Sequence, residues 1–186
     1  MKKLYLPLLL CFTLLLTACG GASARDEVEK ISASLNELDE LTFTARIRAE
    51  YDDRSAEFTL DYAGDADGCR VTVTSPEIIK GVSAHISTGE TALEYDGVAL
   101  DTGMLDDFGL SPMSALPILV DAMRGAYIDS AWEEGEELVA VFIPSDELSA
   151  EVHFDKYTKL PVSAELASGG RVRVFAEISG WNKASR

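Results

Sequence analysis

Basic side chains are scarce in this sequence: 16 Lys and Arg stand against 32 Asp and Glu, a formal net charge of -16. The first 24 residues hold Lys2 and Lys3 and no acid, so the remainder carries 14 basic against 32 acidic groups, or -18. A body that acidic repels phosphates and anionic headgroups, which argues against a nucleic-acid binder or a peripheral membrane-surface binder. Histidine is scarcer still. His85 and His153 are the only two, each set on a strand pattern that turns it toward water, with Ser83 and Ser87 in one case and Glu151 and Asp155 in the other. No G-x-S-x-G, H-E-x-x-H or phosphate-cradling glycine loop is present, so no nucleophile, base and orienting group can be assembled from sequence. We read no catalytic residue, metal or cofactor, and expect a protein that is not an enzyme. Asp65-Ala66-Asp67-Gly68 imitates the middle of a calcium loop, but Ala63 and Thr74 then fall where Asp and Glu are required, and a tight turn is the better reading. Cysteine is nearly absent from the body: Cys11 and Cys19 lie in the leader region and Cys69 is left alone, so the mature chain has no internal disulfide. Cys69 shares a strand face with Val71 and Val73, which predicts a buried, inert thiol.

No apolar run reaches the roughly 20 residues of a membrane-spanning helix; the longest, Leu4 to Leu16, has 13. It follows Met1-Lys2-Lys3 and ends in Leu16-Thr17-Ala18-Cys19-Gly20, the order of charged, apolar and small-residue regions found in an export leader. This segment resembles the lipobox of bacterial lipoproteins. The resemblance implies a signal peptide over residues 1–18, a diacylglyceryl group on the Cys19 sulfur, and cleavage that leaves Cys19 first. An uncleaved anchor or an ordinary secretory signal would instead leave Cys19 incidental. Residues 19–24 then form a short tether, and the chain is expected to be held by its acyl chains on the outer side of the cytoplasmic membrane or on a periplasm-facing membrane.

The body begins with Val28, Ile31, Leu35, Leu38 and Leu41 at three- and four-residue steps among charged residues, an amphipathic helix of about four turns opened by Ser23 and Asp26 as a capping box. From Leu41 the period becomes two. Leu41, Phe43, Ala45, Ile47 and Ala49 alternate with polar residues, and Ala56, Phe58, Leu60 and Tyr62 repeat the pattern after a turn at Asp52-Asp53-Arg54. Further strands are predicted near 69–75, 82–88, 92–95 and 98–101, the last two joined at Asp96-Gly97 by a type I′ turn. Gly103 and Gly109 then bracket a loop with exposed Met104, Leu105, Phe108 and Leu110. Ser111-Pro112 opens a helix that is apolar over most of its circumference and stops at Gly125. A second run of strands follows near 138–143, 150–155, 160–166 and 171–179, with its last turn at Ser168-Gly169-Gly170. The pattern as a whole reads as one α+β domain with an antiparallel sheet of about ten strands, whose apolar face carries Phe43, Ile47, Phe58, Leu60, Val71, Val73, Ile86, Phe142, Phe154, Val162 and Val174.

This order of helix, meander, apolar helical insertion and second meander, over roughly residues 25–182, resembles the lipoprotein-carrier superfamily of LolA and LolB, which includes the mycobacterial lipoproteins LppX and LprG. Ser75-Pro76 through Lys80-Gly81, Phe154-Asp155 with Leu160-Pro161, and the hairpin Ala164 to Ile178 are its most family-like pieces. The resemblance implies a strongly curved antiparallel sheet, an open half barrel, covered on its concave face by the N-terminal helix and the helical insertion. It further implies a hydrophobic ligand, a lipid or acyl chain, held there for envelope assembly or transfer. Phe43, Ile47, Phe58, Leu60, Leu116, Leu119 and Met123 are the expected cavity residues. The alternative is an acidic protein-interaction lipoprotein with a solid core, whose loop at 104–110 meets an envelope protein partner.

Overall fold

The structure is a computed structural model that describes residues 23–65, 67–87, 90–103 and 110–184. The leader with Cys19, and Met104, Leu105 and Phe108 of the apolar loop, lie outside the described residues. The first helix, α1 (Ala24–Asn36), starts as expected. Ser23 Oγ accepts from the Asp26 amide at 3.2 Å, while the Asp26 carboxylate accepts from the Ser23 amide at 3.0 Å. Val28, Ile31 and Leu35 make its buried stripe. It ends at Asn36, a turn short of the reading from periodicity: Leu38 and Leu41 reach the core from the connection and from the first strand.

The strands are β1 (Glu40–Glu50), β2 (Ser55–Gly64), β3 (Gly68–Ser75), β4 (Ser83–Ser87), β5 (Glu90–Tyr95), β6 (Val98–Gly103), β7 (Tyr127–Glu134), β8 (Glu137–Ser145), β9 (Leu148–Asp155), β10 (Pro161–Ser168) and β11 (Arg171–Ala184). Helix α2 (Pro112–Gly125) stands between β6 and β7. All eleven strands form one antiparallel sheet in the order β6-β5-β4-β3-β2-β1-β11-β10-β9-β8-β7, so each half is a meander and β1 with β11 is the seam. Among the described residues the ends, β6 and β7, do not pair, and the sheet stays open.

The sheet must bend strongly. Helix α2 touches β1, β2 and β3 from one half and β8 and β10 from the other. At about 4.8 Å between neighbours, β3 and β8 in a flat sheet would lie about 29 Å apart, far beyond the 10–12 Å diameter of a helix. Both helices sit in the resulting trough, and the fold is the expected open half barrel covered on its concave face.

Alternation places the core. Leu41, Phe43, Ala45, Ile47 and Ala49 of β1 are all buried, with exposed or half-buried polar residues between them. Of the eleven residues assigned to the concave face, eight are buried; Phe58, Ile86 and Val162 are only half-buried. Val162 departs because the β9–β10 register shifts between Pro161 and Ser163, and Pro161 takes the buried position instead. A second irregularity brings in a residue that alternation alone does not reveal. Gly180 (φ +67) forms a bulge in β11 opposite the Thr42–Thr44 stretch, the parity of the strand flips, and Trp181 turns onto the core. Its ring stacks on Phe43 at 4.5 Å, Phe43 stacks on Tyr62 at 4.8 Å, and the indole donates to the Pro161 carbonyl at 2.9 Å.

The turns follow their residues. Asp65 Oδ1 accepts from the amides of Asp67 and Gly68 at 2.8 and 3.1 Å, so the acidic turn spends this oxygen on its own backbone. At Gly68 a Cβ would lie 2.2 Å from the Ile86 carbonyl oxygen, and only glycine fits. Helix α2 opens with a second reciprocal cap, Ser111 with Ser114, and Pro112 at its first position. Gly125 is the last helical residue rather than the residue beyond it; the chain leaves through Ala126 in an extended conformation.

Candidate ligand-binding face

Six of the seven residues expected to line a cavity are buried in one continuous core. Phe43 is 3% exposed, Met123 1%, and Ile47, Leu60, Leu116 and Leu119 are fully enclosed. The seventh, Phe58, packs against them with part of its ring in solvent. Strand parity supplies Phe43, Ile47, Phe58 and Leu60 from β1 and β2. The first two turns and the end of α2 supply Leu116, Leu119 and Met123. The one polar residue that the helix encloses completely is Ser114, which is bonded into its own N-terminal cap. Sheet and helix therefore meet across an uninterrupted apolar contact, and the two helices are tied at their C-terminal ends where Asn36 Nδ2 donates to the Arg124 carbonyl at 2.7 Å. Leu110, expected exposed, is half-buried against the same core.

The rim of this face is polar and reluctant to ionise. Burial pushes the Cys69 thiol up to about 11, the Tyr62 hydroxyl still further, and the Asp121 carboxyl above its ordinary range. Cys69 is half-buried rather than enclosed, and protonated at neutral pH it is a poor nucleophile. Arg124 stands near all three, and its buried Nε has no hydrogen-bond partner among the described residues.

Two open concavities lie on the opposite, convex face. One, of about 570 Å³, is bordered by Glu40, Asp65, Asp67, Arg70 and His85; the other, of about 430 Å³, by Arg46, Arg48, His153, Glu165 and Phe175. Ile47 is the one expected cavity residue that borders either of them. The histidines are less free than expected. His85 Nε2 lies 3.2 Å from Glu94, which Arg70 also approaches at 3.4 Å. His153 is half-buried between Glu137 (2.7 Å) and Glu151 (3.3 Å). Burial opposes its charge, but the hydrogen bonds to the two glutamates outweigh burial and hold its pKa above the usual histidine range. A histidine with a raised folded-state pKa stabilises fully below its unfolded value of about 6.5, and that contribution fades as pH rises through the folded value. We expect the gap in urea midpoint between wild type and His153→Gln to be widest at pH 5.5 and to shrink above pH 6.5, modestly because both glutamate partners are exposed to solvent. A gap that does not change with pH would refute the assignment.

No protein-family model matches the chain, and no curated protein matches it in sequence. Solved structures do share the fold. An uncharacterized conserved protein from Thermus thermophilus superposes with a TM-score of 0.52 at 10% identity, covering 88% of this chain and 90% of that one. A DUF1329 family protein from Desulfovibrio piger gives 0.51 at 7% identity over 86% and 91%. A LolA superfamily protein from Nitrosomonas europaea gives 0.49 at 11% identity over 89% and 96%. At these identities the likeness concerns architecture alone.

Proposed function

We propose that this chain is an envelope lipoprotein, anchored through Cys19 after loss of residues 1–18, which binds a lipid or acyl chain between its concave sheet face and helix α2. The observation that carries the reading is the unbroken apolar contact between Phe43, Ile47 and Leu60 on the sheet and Leu116, Leu119 and Met123 on the helix. A helix that meets a sheet through side chains alone can part from it without stranding backbone groups, and the trough so opened offers hydrocarbon a wholly apolar lining. Phe58 stands at its margin. The chemistry asked of the protein is reversible burial, with no bond made or broken.

One observation favours a second reading. The same six residues are already enclosed by one another, as in an ordinary core, and an acidic body of that kind would act by contacting an envelope partner. The two readings part in one experiment. Residues 20–186, purified without detergent, are expected to carry lipid near one equivalent in native mass spectrometry and to take up a fluorescent fatty acid; Leu119→Glu should abolish both. A clean apoprotein that takes up no fatty acid and moves no lipid between vesicles would leave the interaction reading.

A further inference from the structure

The sheet is open, and one of its two edges is described in full. Strand β7 pairs with β8 on one side; among the described residues it pairs with no strand on the other. Alternate residues of this eight-residue strand turn their amide and carbonyl groups away from β8, which is a template for an added strand. The edge begins where the chain enters the fold, since the Arg25 guanidinium lies 5.7 Å from the centre of the exposed Tyr127 ring.

Its side chains decide what can pair there. Asp129, Glu133 and Glu134 are exposed along β7, and Glu136 and Glu137 continue the acidic run through the hairpin turn. Lys156 answers Glu133 and His153 answers Glu137; Asp129, Glu134 and Glu136 form no ion pair among the described residues. A second copy of this chain adding antiparallel to β7 would set these acids against their own images, and like charges across paired strands repel. A strand carrying lysine or arginine would meet them with complementary charge. Trp132, 37% exposed between Ala131 and Glu133, adds apolar area for a β-branched neighbour. The register shift between Ile128 and Ser130 breaks the ladder near the start, leaving Ser130 to Glu134 as the regular stretch.

We infer that the outer edge of β7 is a docking site for an extended basic segment of a partner protein, added to the sheet as a twelfth strand. The inference is independent of any ligand on the concave face. It is tested with the full-length chain in neutral detergent micelles at 0.15 M salt and two synthetic nonapeptides of equal charge. One alternates lysine with valine; the other carries proline in place of alternate valines and cannot pair as a strand. Hydrogen exchange at residues 130–134 is expected to slow at least tenfold with the first peptide and to be unchanged with the second, whose binding should be at least tenfold weaker. Replacing the exposed acids by Asp129→Lys with Glu134→Lys should abolish binding of the lysine peptide while leaving the thermal midpoint within a few degrees. Equal binding of the two peptides would reduce the site to unspecific charge attraction and overturn the inference. So would absence of amide protection, or protection of β7 that grows with protein concentration alone, which would mean a second copy.

Discussion

Phe154→Ala is expected to cost roughly 4 kcal/mol in urea unfolding of residues 20–186, with the slope of the transition unchanged. Phe154 is fully enclosed and meets Phe142 edge to face, with ring centres 6.5 Å apart. Truncation removes the transfer energy of a buried ring and leaves a cavity that two neighbouring β-strands cannot collapse to fill. Domains of this size are stable by about 5–15 kcal/mol, so the variant should lose between about a quarter and four fifths of that margin. Phe154→Leu, which retains most of the volume, should cost under about 1.5 kcal/mol. Phe58→Ala is the useful contrast: its ring is partly in solvent, and about 2 kcal/mol is expected there, against little for Thr59→Ala. Equal losses at Phe154 and Phe58 would mean that the two halves of the sheet share their core differently from the arrangement described.

The contrast between those phenylalanines marks where sequence pattern ceases to inform. Both occupy core-parity positions on alternating strands, and period two places them on the concave face without distinguishing a fully enclosed residue from one at the margin. Parity itself is legible wherever the strand is regular, as along β1 from Leu41 to Ala49. It fails at bulges. Val162 and Trp181 each sit beside a register shift, and each moves to the opposite side from the one simple counting gives. Strand β7 escapes sequence reading for the same reason compounded by composition: a shift after Ile128, then acids suited to a sheet edge, leave no run of alternation long enough to notice.

The candidate site divides in the same way. That Leu116, Leu119 and Met123 would face Phe43, Ile47 and Leu60 follows from helical and strand periods, because an apolar helix must bury its circumference against the apolar face available. How tightly those faces close depends on volumes summed over strands distant in sequence, and no local pattern encodes it. The pairings of His153 with Glu137 and Glu151 are a milder case. Glu151 lies two residues away on the same strand face and could be read; Glu137 arrives only through the β8–β9 register, in which Val139 stands opposite His153 and Glu137 opposite Asp155.

The largest effect of all is expected at Cys19. Cys19→Ala should abolish incorporation of a fatty-acid analogue and leave a precursor that retains its leader and migrates more slowly on a denaturing gel. One acyl chain gives marginal binding and two hold firmly, at about 0.8 kcal/mol per buried methylene, so loss of the diacylglyceryl group removes essentially all of the anchoring energy. The body supplies none in return, because its charge of -18 opposes approach to an anionic surface. Labelling that persists in the Cys19→Ala chain would refute the anchor and, with it, the address on which the carrier reading depends. Three residues, Gly20, Gly21 and Ala22, stand in sequence between Cys19 and Ser23, which caps α1, so an anchor at Cys19 would have a reach of at most about 14 Å at about 3.4 Å per residue. On the proposed carrier reading, a protein held that closely could not cross an envelope by itself; its ligand would be loaded or surrendered at its own membrane, and lipid transfer over any greater distance is expected only when a soluble acceptor protein is added.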